Sequence, residues 1–133
     1  MREYLRLNTL TEDGYLYWNP AREMAEALIS NEPYRSCHAA DLLELNNGDL
    51  LCCWFAGSRE GNADISIVMS RLSAGENKWT DPVKVTDDVV KSEQNPSLFL
   101  TPSGEIWLVY TAQDAKRTEM KSNFNLQYTA EIR

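Results

Sequence analysis

Short apolar runs with alternating polar positions fill the chain from residue 34 onward, and this period of two predicts β-strands. The segment ISIVMSRL at 65–72 and the two arms of LLELNNGDLLCCWFA at 42–56 show the pattern most clearly. Glycine, proline and asparagine separate the runs, which is typical of tight turns between antiparallel strands. The turn signals are Asn46-Asn47-Gly48, Ala74-Gly75, Asp81-Pro82 and Pro102-Ser103-Gly104. We therefore predict an all-β main unit over residues 34–133.

The first 33 residues follow a different pattern. Asn19 followed by Pro20 is typical of a helix N-cap with proline at the first helical position. Residues 21–29 then predict a short helix, with apolar side chains along one side at Met24, Ala25, Leu28 and Ile29. We interpret residues 1–33 as an N-terminal strand and helix segment outside the main unit.

An internal repeat indicates the fold class. The segment LLELNNGDLLCCWFA (42–56) is matched by LFLTPSGEIWLVYTA (98–112), and Gly48 and Gly104 lie 56 residues apart. An alternating strand follows each hairpin, and a short fourth strand follows the first of them. Four strands in about 50 residues are the period of a β-propeller blade.

The repeat divides the main unit into a first blade over about 36–90 and an incomplete second blade over about 91–133. The expected strands lie near 39–46, 49–56, 64–72 and 83–86 in the first blade and near 97–101, 105–111 and 126–132 in the second. Because a propeller needs about 4–8 blades to close, we expect a truncated propeller of about two blades. Its exposed sheet edges favour self-association.

Composition limits the classes of binding partner and the cellular compartment that we expect. The 133 residues carry a net charge of -7 with a pI of about 4.7, which argues against nucleic acid as a partner. No run of about 18 apolar residues occurs, so we expect no membrane span. The N-terminus lacks the apolar core of a signal peptide, and we expect a cytoplasmic chain while leaving secretion open.

The sequence gives no sign of a cofactor or a metal. Adjacent Cys52 and Cys53, with Cys37, do not form a disulfide framework, and we interpret them as small apolar fillers. Phosphate-loop, dinucleotide and zinc motifs are absent from the sequence, and the single histidine, His38, has no acid or thiol at ligand spacing.

A charged loop between two apolar strands resembles a known family. The segment SCHAADLLELNNGDLLCCWFAGSREGNADISIVMSR at 36–71 is similar to the sialidase-like BNR-repeat propellers, in the spacing of its turns and loop charges. The second unit adds NPSLF at 95–99 and IWLVY at 106–110. The resemblance implies a six-bladed sialidase-type propeller and an exo-acting glycoside hydrolase for glycan-terminal acidic sugars.

The resemblance also implies roles for individual residues. Arg59 falls on an arginine that grips the substrate carboxylate, and Asp64 falls on the catalytic acid/base. His38 stands where the first clamp arginine is expected, and Gln94 is its repeat equivalent. With Asn95, these two would contact substrate.

Departures from the family keep other functions open. Ala74 replaces the aspartate of the Asp-box turn, and no Tyr–Glu nucleophile pair is in register. The alternatives are a non-catalytic carbohydrate-binding or scaffold propeller, or another glycan-acting enzyme that uses His38. Individual residues also have structural interpretations: a buried histidine at 38, an ion pair at Arg59, a turn cap at Asp64 and a strand entry at Asn95-Pro96.

Overall fold

The computed structural model describes residues 10–115 and the backbone of 124–132. The strands are β1 (Tyr17–Asn19), β2 (Met24–Glu26), β3 (Ser36–Glu44), β4 (Leu50–Gly57), β5 (Ser66–Leu72), β6 (Val83–Lys84), β7 (Lys91–Leu100), β8 (Ile106–Asp114) and β9 (Phe124–Ile132). They form an antiparallel pair β1–β2, a four-stranded sheet β3–β4–β5–β6 and a three-stranded sheet β7–β8–β9, all antiparallel. The predicted all-β antiparallel architecture is confirmed, and the described ranges contain no helix that could cross a membrane.

The predicted N-terminal helix over 21–29 is wrong. The Asn19 side chain does accept the backbone N–H groups of Ala21 at 3.1 Å and Arg22 at 3.3 Å, but these bonds close a turn. Glu23 then has φ +51°, a left-handed conformation that leaves the helical region and lets β2 pair with β1. A surface helix would also need a buried apolar side, whereas Met24 is 42% exposed.

The two sheets repeat one hairpin. In each turn the glycine N–H donates to the carbonyl three residues earlier, from Gly48 to Leu45 and from Gly104 to Thr101, both at 2.9 Å. Gly48 has φ +88° and Gly104 has φ +90°, a conformation that glycine adopts without steric cost. The 56-residue repeat therefore holds at the level of backbone hydrogen bonds.

The first strands of the two sheets, β3 and β7, each carry a β-bulge at the same place in the repeat. Ala39 has φ +55° in the first bulge, and Asn95, 56 residues later, has φ +50° in the second. Pro96 follows inside β7, where a bulge tolerates a residue without an N–H. Asn95-Pro96 therefore lies in the middle of a strand, and its interpretation as a strand entry is wrong.

Successive residues of β4 point to opposite faces of the first sheet, so each face has its own core. One face packs against the second sheet, in a core of Leu51, Cys53, Phe55, Ile65, Ile67, Met69, Leu98, Leu108, Tyr110 and Ala112. The other face packs against part of the N-terminal segment, in a core of Cys52, Trp54, Ala56, Val68 and Trp79. The first core joins the two sheets face to face, as neighbouring propeller blades are joined.

Asp49, the acidic residue after the first hairpin glycine, holds the turn that follows β5. Its Oδ1 accepts the Ala74 N–H at 2.8 Å, and its Oδ2 accepts Arg71 Nε–H at 2.7 Å. The Ala74 bond, followed by the Arg71 guanidinium, lowers the pKa of Asp49. A carboxylate from the neighbouring hairpin thus binds the turn in which Ala74 replaces the Asp-box aspartate.

Candidate functional site

The predicted site residues lie at the same end of both sheets. This end is called the rim below. β3 begins there beside the end of β4, because Ser36 pairs with Gly57. The Glu93 N–H donates to the Ile65 carbonyl at 3.0 Å, which fixes the start of β7 beside the β4–β5 loop. The rim comprises residues 36–38, 58–65 and 91–95.

Arg59 is exposed in the β4–β5 loop. Its carbonyl accepts the Asn62 N–H at 3.1 Å, which fixes the backbone beneath it. Among residues 10–115, its guanidinium forms no ion pair with Glu60 or Asp64, so the structural ion-pair interpretation is wrong. A guanidinium without a protein carboxylate partner suits a ligand carboxylate, which it can bind with two parallel hydrogen bonds.

Asp64 closes the same loop from its other end. Its Oδ2 accepts the Ser58 N–H at 3.2 Å, and the residue is exposed. The close approach requires glycine at 57, because a Cβ there would lie 2.8 Å from the Asp64 carbonyl oxygen. Asp64 therefore does act as a loop cap, and within the described part of the chain its Oδ1 accepts no hydrogen bond.

His38 is exposed at the start of β3, so the interpretation as a buried histidine is wrong. Its ring lies against Phe55, with centroids 5.4 Å apart and planes tilted by 42°. Phe55 is 2% exposed and belongs to the core between the sheets. The imidazole thus covers the rim end of that core, where it can donate or accept a hydrogen bond.

Gln94 and Asn95 differ in exposure although they are neighbours. Gln94 is 4% exposed, and its Nε2 donates to Ser92 Oγ at 2.9 Å. Asn95 is exposed at the bulge, and its Nδ2 donates to Thr111 Oγ1 at 3.4 Å. The bulge therefore presents the Asn95 amide at the surface and turns the Gln94 amide into the sheet.

The structure places all five predicted residues at one rim without linking any two by a side-chain hydrogen bond or ion pair among residues 10–115. Four are exposed: Arg59, Asp64, His38 and Asn95. Arg59 and Asp64 lie in the loop that joins β4 to β5 at this end, and His38 lies near the start of β3. Gln94 and Asn95 lie at the bulge of β7. The four exposed residues supply one guanidinium, one carboxyl group, one imidazole and one amide.

Glu93 is a rim residue that the sequence reasoning missed. It is 2% exposed, and its Oε2 has no hydrogen-bond partner in the described ranges. Burial raises the pKa of Glu93, against the opposing hydrogen bonds from the Thr86 side chain and the Asp88 backbone. The available signal was the polar run SEQN at 92–95, which opens an otherwise apolar strand.

The three cysteines are poor nucleophiles. Burial raises the pKa of Cys52 to about 11 and that of Cys53 to about 12. Burial also raises the pKa of Cys37, although the nearby Trp54 indole opposes the shift. Thiolates are the reactive form, so none of these thiols competes with the rim residues as a catalytic group at neutral pH.

Residues 10–115 contain no cluster of three His, Cys, Asp or Glu side chains arranged to hold a metal ion.

A comparison with protein families identifies the family of the chain. The model of the BNR repeat-like domain matches residues 48–131, which is more than half of the chain. The chain belongs to the BNR repeat-like family. Its match begins at Gly48 and covers β4, the β4–β5 loop with Arg59 and Asp64, and the second hairpin.

No curated protein and no solved structure matches the chain at a significant level. The family membership therefore rests on the BNR repeat-like match. The repeated hairpins and bulges of the structure are consistent with a repeat family. The boundary between residues 1–33 and 34–133, and the blade limits at about 90, stay predictions.

Proposed function

We propose that the rim binds the carboxylate of a glycan-terminal acidic sugar and is part of the site of a sialidase-like, exo-acting glycoside hydrolase. The observation that carries this proposal lies in one loop. Among the described residues the exposed Arg59 has no carboxylate partner, and Asp64 Oδ1 accepts no hydrogen bond. We also propose that these sheets are consecutive blades of a six-bladed propeller, whose rim would surround the sugar.

The proposed roles follow from the chemistry of each group. Arg59 binds the sugar carboxylate, because a guanidinium matches a planar anion. Asp64 exchanges a proton through Oδ1 while the Ser58 N–H holds Oδ2 and fixes the carboxyl orientation. His38 and Asn95 bind sugar hydroxyl groups, and Gln94 supports the bulge from beneath through Ser92.

A second candidate, carbohydrate binding without turnover, is favoured by one specific contact. The Ser58 N–H donates to Asp64 Oδ2, so this carboxyl group already has a structural role as the cap of the β4–β5 loop. In this case Asp64 would organise the loop, and Arg59 would bind an acidic glycan that is released unchanged.

Cleavage of a fluorogenic sialoside, measured with a parallel binding titration, separates the two. For residues 1–133 alone we expect binding without turnover, since only one clamp arginine is in register. In an assembled propeller, Asp64→Asn should lower kcat by about 10²–10⁴ with binding retained. Arg59→Ala should weaken binding, while the matched controls Asp87→Asn and Arg22→Ala should leave both unchanged.

Each other outcome has a defined meaning. Binding without turnover in the assembled propeller would support the second candidate. Loss of turnover in His38→Gln but not in Asp64→Asn would assign the chemistry to His38, in a different glycan-acting enzyme. Unchanged binding in Arg59→Ala would overturn the proposed carboxylate site.

A further inference from the structure

Glu93 lies at the rim, at the point where the two sheets meet. Its N–H donates to the carbonyl of Ile65 at 3.0 Å, and Ile65 directly follows Asp64 at the end of the β4–β5 loop. In the second sheet, Glu93 pairs with Ala112 of β8. The backbone of Glu93 therefore ties the end of the β4–β5 loop to the second sheet.

The Glu93 side chain is buried against the segment 85–90, called the crossover below, which joins β6 to β7. Its carboxyl group receives hydrogen bonds from the Thr86 hydroxyl and the Asp88 N–H. The same Thr86 oxygen accepts the Ile67 N–H of β5 at 2.8 Å. One carboxyl group thus links β7, the crossover and the first sheet.

The crossover is fixed at both ends and exposed in between. At one end the Val85 N–H donates to the Ile67 carbonyl at 2.9 Å. At the other end Asp88 Oδ1 accepts the N–H groups of Val90 at 2.8 Å and Lys91 at 3.0 Å. Val90 is 68% exposed, so the crossover covers Glu93 from the solvent side. A small displacement of this segment would admit water to the carboxyl group.

An ionised Glu93 would be poorly accommodated in this position. The residue is 2% exposed, and its Oε2 has no hydrogen-bond partner within the described ranges. A buried charge without partners is costly, so the neutral carboxyl is favoured. Burial raises the pKa of Glu93, and the carboxylates of Asp88 and Asp87 in the crossover add to the rise.

The elements packed around Glu93 supply no described cation that offsets this charge. Lys91, two residues earlier in β7, is bound through its N–H to Asp88. The imidazole of His38 lies against Phe55 instead. The titratable side chains that these elements bring to the rim or the sheet interface are Asp64 in the β4–β5 loop, Cys37, His38 and Asp41 in β3, Cys53 in β4, Asp87 and Asp88 in the crossover, Lys91 in β7, and Tyr110 and Asp114 in β8.

We propose that Glu93 is a pH-sensitive positioning residue for the rim. In its neutral form it holds the crossover and the end of the β4–β5 loop in place. When it ionises, the crossover opens to water, the contact with Thr86 is lost, and the loop that carries Arg59 and Asp64 loosens. The rim is therefore ordered in acid and becomes looser as the pH rises through the ionisation of this one group.

Backbone NMR of the full chain, without ligand, tests the positioning role. The amide signals of Ser58, Ile65 and Ile67 should shift together with the Glu93 carboxyl carbon, in one step above about pH 4.5. Glu93→Gln retains the shape of the side chain and should remove this step, whereas Glu105→Gln, in an exposed turn, should retain it. Asp64→Asn should remove only the separate step that Asp64 itself contributes to the Ser58 signal.

Hydrogen exchange distinguishes local opening from a general loss of stability. Across the step the Ile67 amide should lose protection by at least about tenfold in the wild type, because each pKa unit corresponds to a factor of ten. The amide of Leu45, which donates to the Asp49 carbonyl in the distant hairpin, should keep its protection. Equal losses at Ile67 and Leu45 would overturn the proposal. So would rim signals that do not follow the Glu93 carboxyl carbon in the wild type, a comparison that needs no variant.

A consequence for binding rests on the acidic-sugar site proposed above. Above the step, the wild-type affinity for N-acetylneuraminic acid should fall relative to that of Glu93→Gln, by about twofold once half of the molecules are open. Equal affinities at every pH, with the amide step present, would show that the opening does not reach the sugar site and would overturn the release of the loop. If neither protein binds the sugar, the acidic-sugar site is wrong, and the amide signals still decide the role of Glu93.

Discussion

Asp41 Oδ2 accepts the backbone N–H of Leu98 at 2.7 Å and so ties the first sheet to the second. The same oxygen accepts the Ser97 hydroxyl at 3.2 Å. Ser97 occupies the place of Asp41 in the repeat, and both residues directly follow a bulge. Asp41, which follows the bulge of β3, therefore holds β7 just after the bulge of that strand. This contact aligns the rim segments 36–38 and 91–95.

Removing this link should loosen the packing of the two sheets. Asp41→Ala is expected to lower the free energy of unfolding by about 1–3 kcal/mol, because it leaves the Leu98 N–H without its acceptor. Asp41→Asn retains an acceptor oxygen and should lose less. Urea unfolding measures both, and Asp87→Ala serves as an exposed control. An Asp41→Ala midpoint equal to that of the control would contradict the link.

The sheets could be predicted from the sequence because alternation and turn residues act locally. The strands near Gly48 and Gly104 were found for that reason. The N-terminal helix was mispredicted because the Asn19 turn also fits a hairpin, and only pairing with β1 decides between them. The bulges at Ala39 and Asn95 depend on how neighbouring strands pair, and a single sequence does not specify that.

Only part of the candidate site could be predicted from the sequence. Arg59 and Asp64 stand out because charge interrupts two apolar strands. The inward orientation of Gln94 was not accessible, since a bulge changes which side chains reach the surface. Burial of Glu93 depends on its contact with the other sheet, where its N–H donates to the Ile65 carbonyl, and composition does not reveal that contact.

Asp49 should make stability sensitive to acid. Its pKa is lowered in the folded protein, so its contribution is fully present above the unfolded value and is lost as the pH falls through the folded value. The difference in unfolding free energy between wild type and Asp49→Asn should therefore be largest near neutral pH and shrink below about pH 4. Urea melts at a series of pH values measure it. A difference that grows on acidification would refute this role, and Asp81→Asn is the surface control.

Glu93 should change the pH dependence of the free energy of unfolding in the opposite direction to Asp49. Its pKa is raised above the ordinary 4.5, so the unfolded chain loses this proton first as the pH rises. The contribution of Glu93 to stability then falls from about pH 4.5 up to its folded pKa and stays low above it. Glu93→Gln should remove that decline, while Glu105→Gln, on an exposed turn, should retain it. Parallel pH profiles for wild type and Glu93→Gln would rule out an energetic effect of the buried carboxyl.

The proposed acidic-sugar site is tested most directly through the single histidine, whose imidazole gives one unambiguous set of NMR signals. Titration of the chain with N-acetylneuraminic acid should shift the His38 ring resonances, because His38 lies on the same rim as Arg59. Arg59→Ala should weaken the response by about tenfold or more, as expected for a lost charge-assisted contact, whereas Arg22→Ala should leave it intact. A neutral sugar such as N-acetylglucosamine should produce little shift. Equal shifts with the neutral sugar, or an unchanged response in Arg59→Ala, would contradict a carboxylate-binding rim.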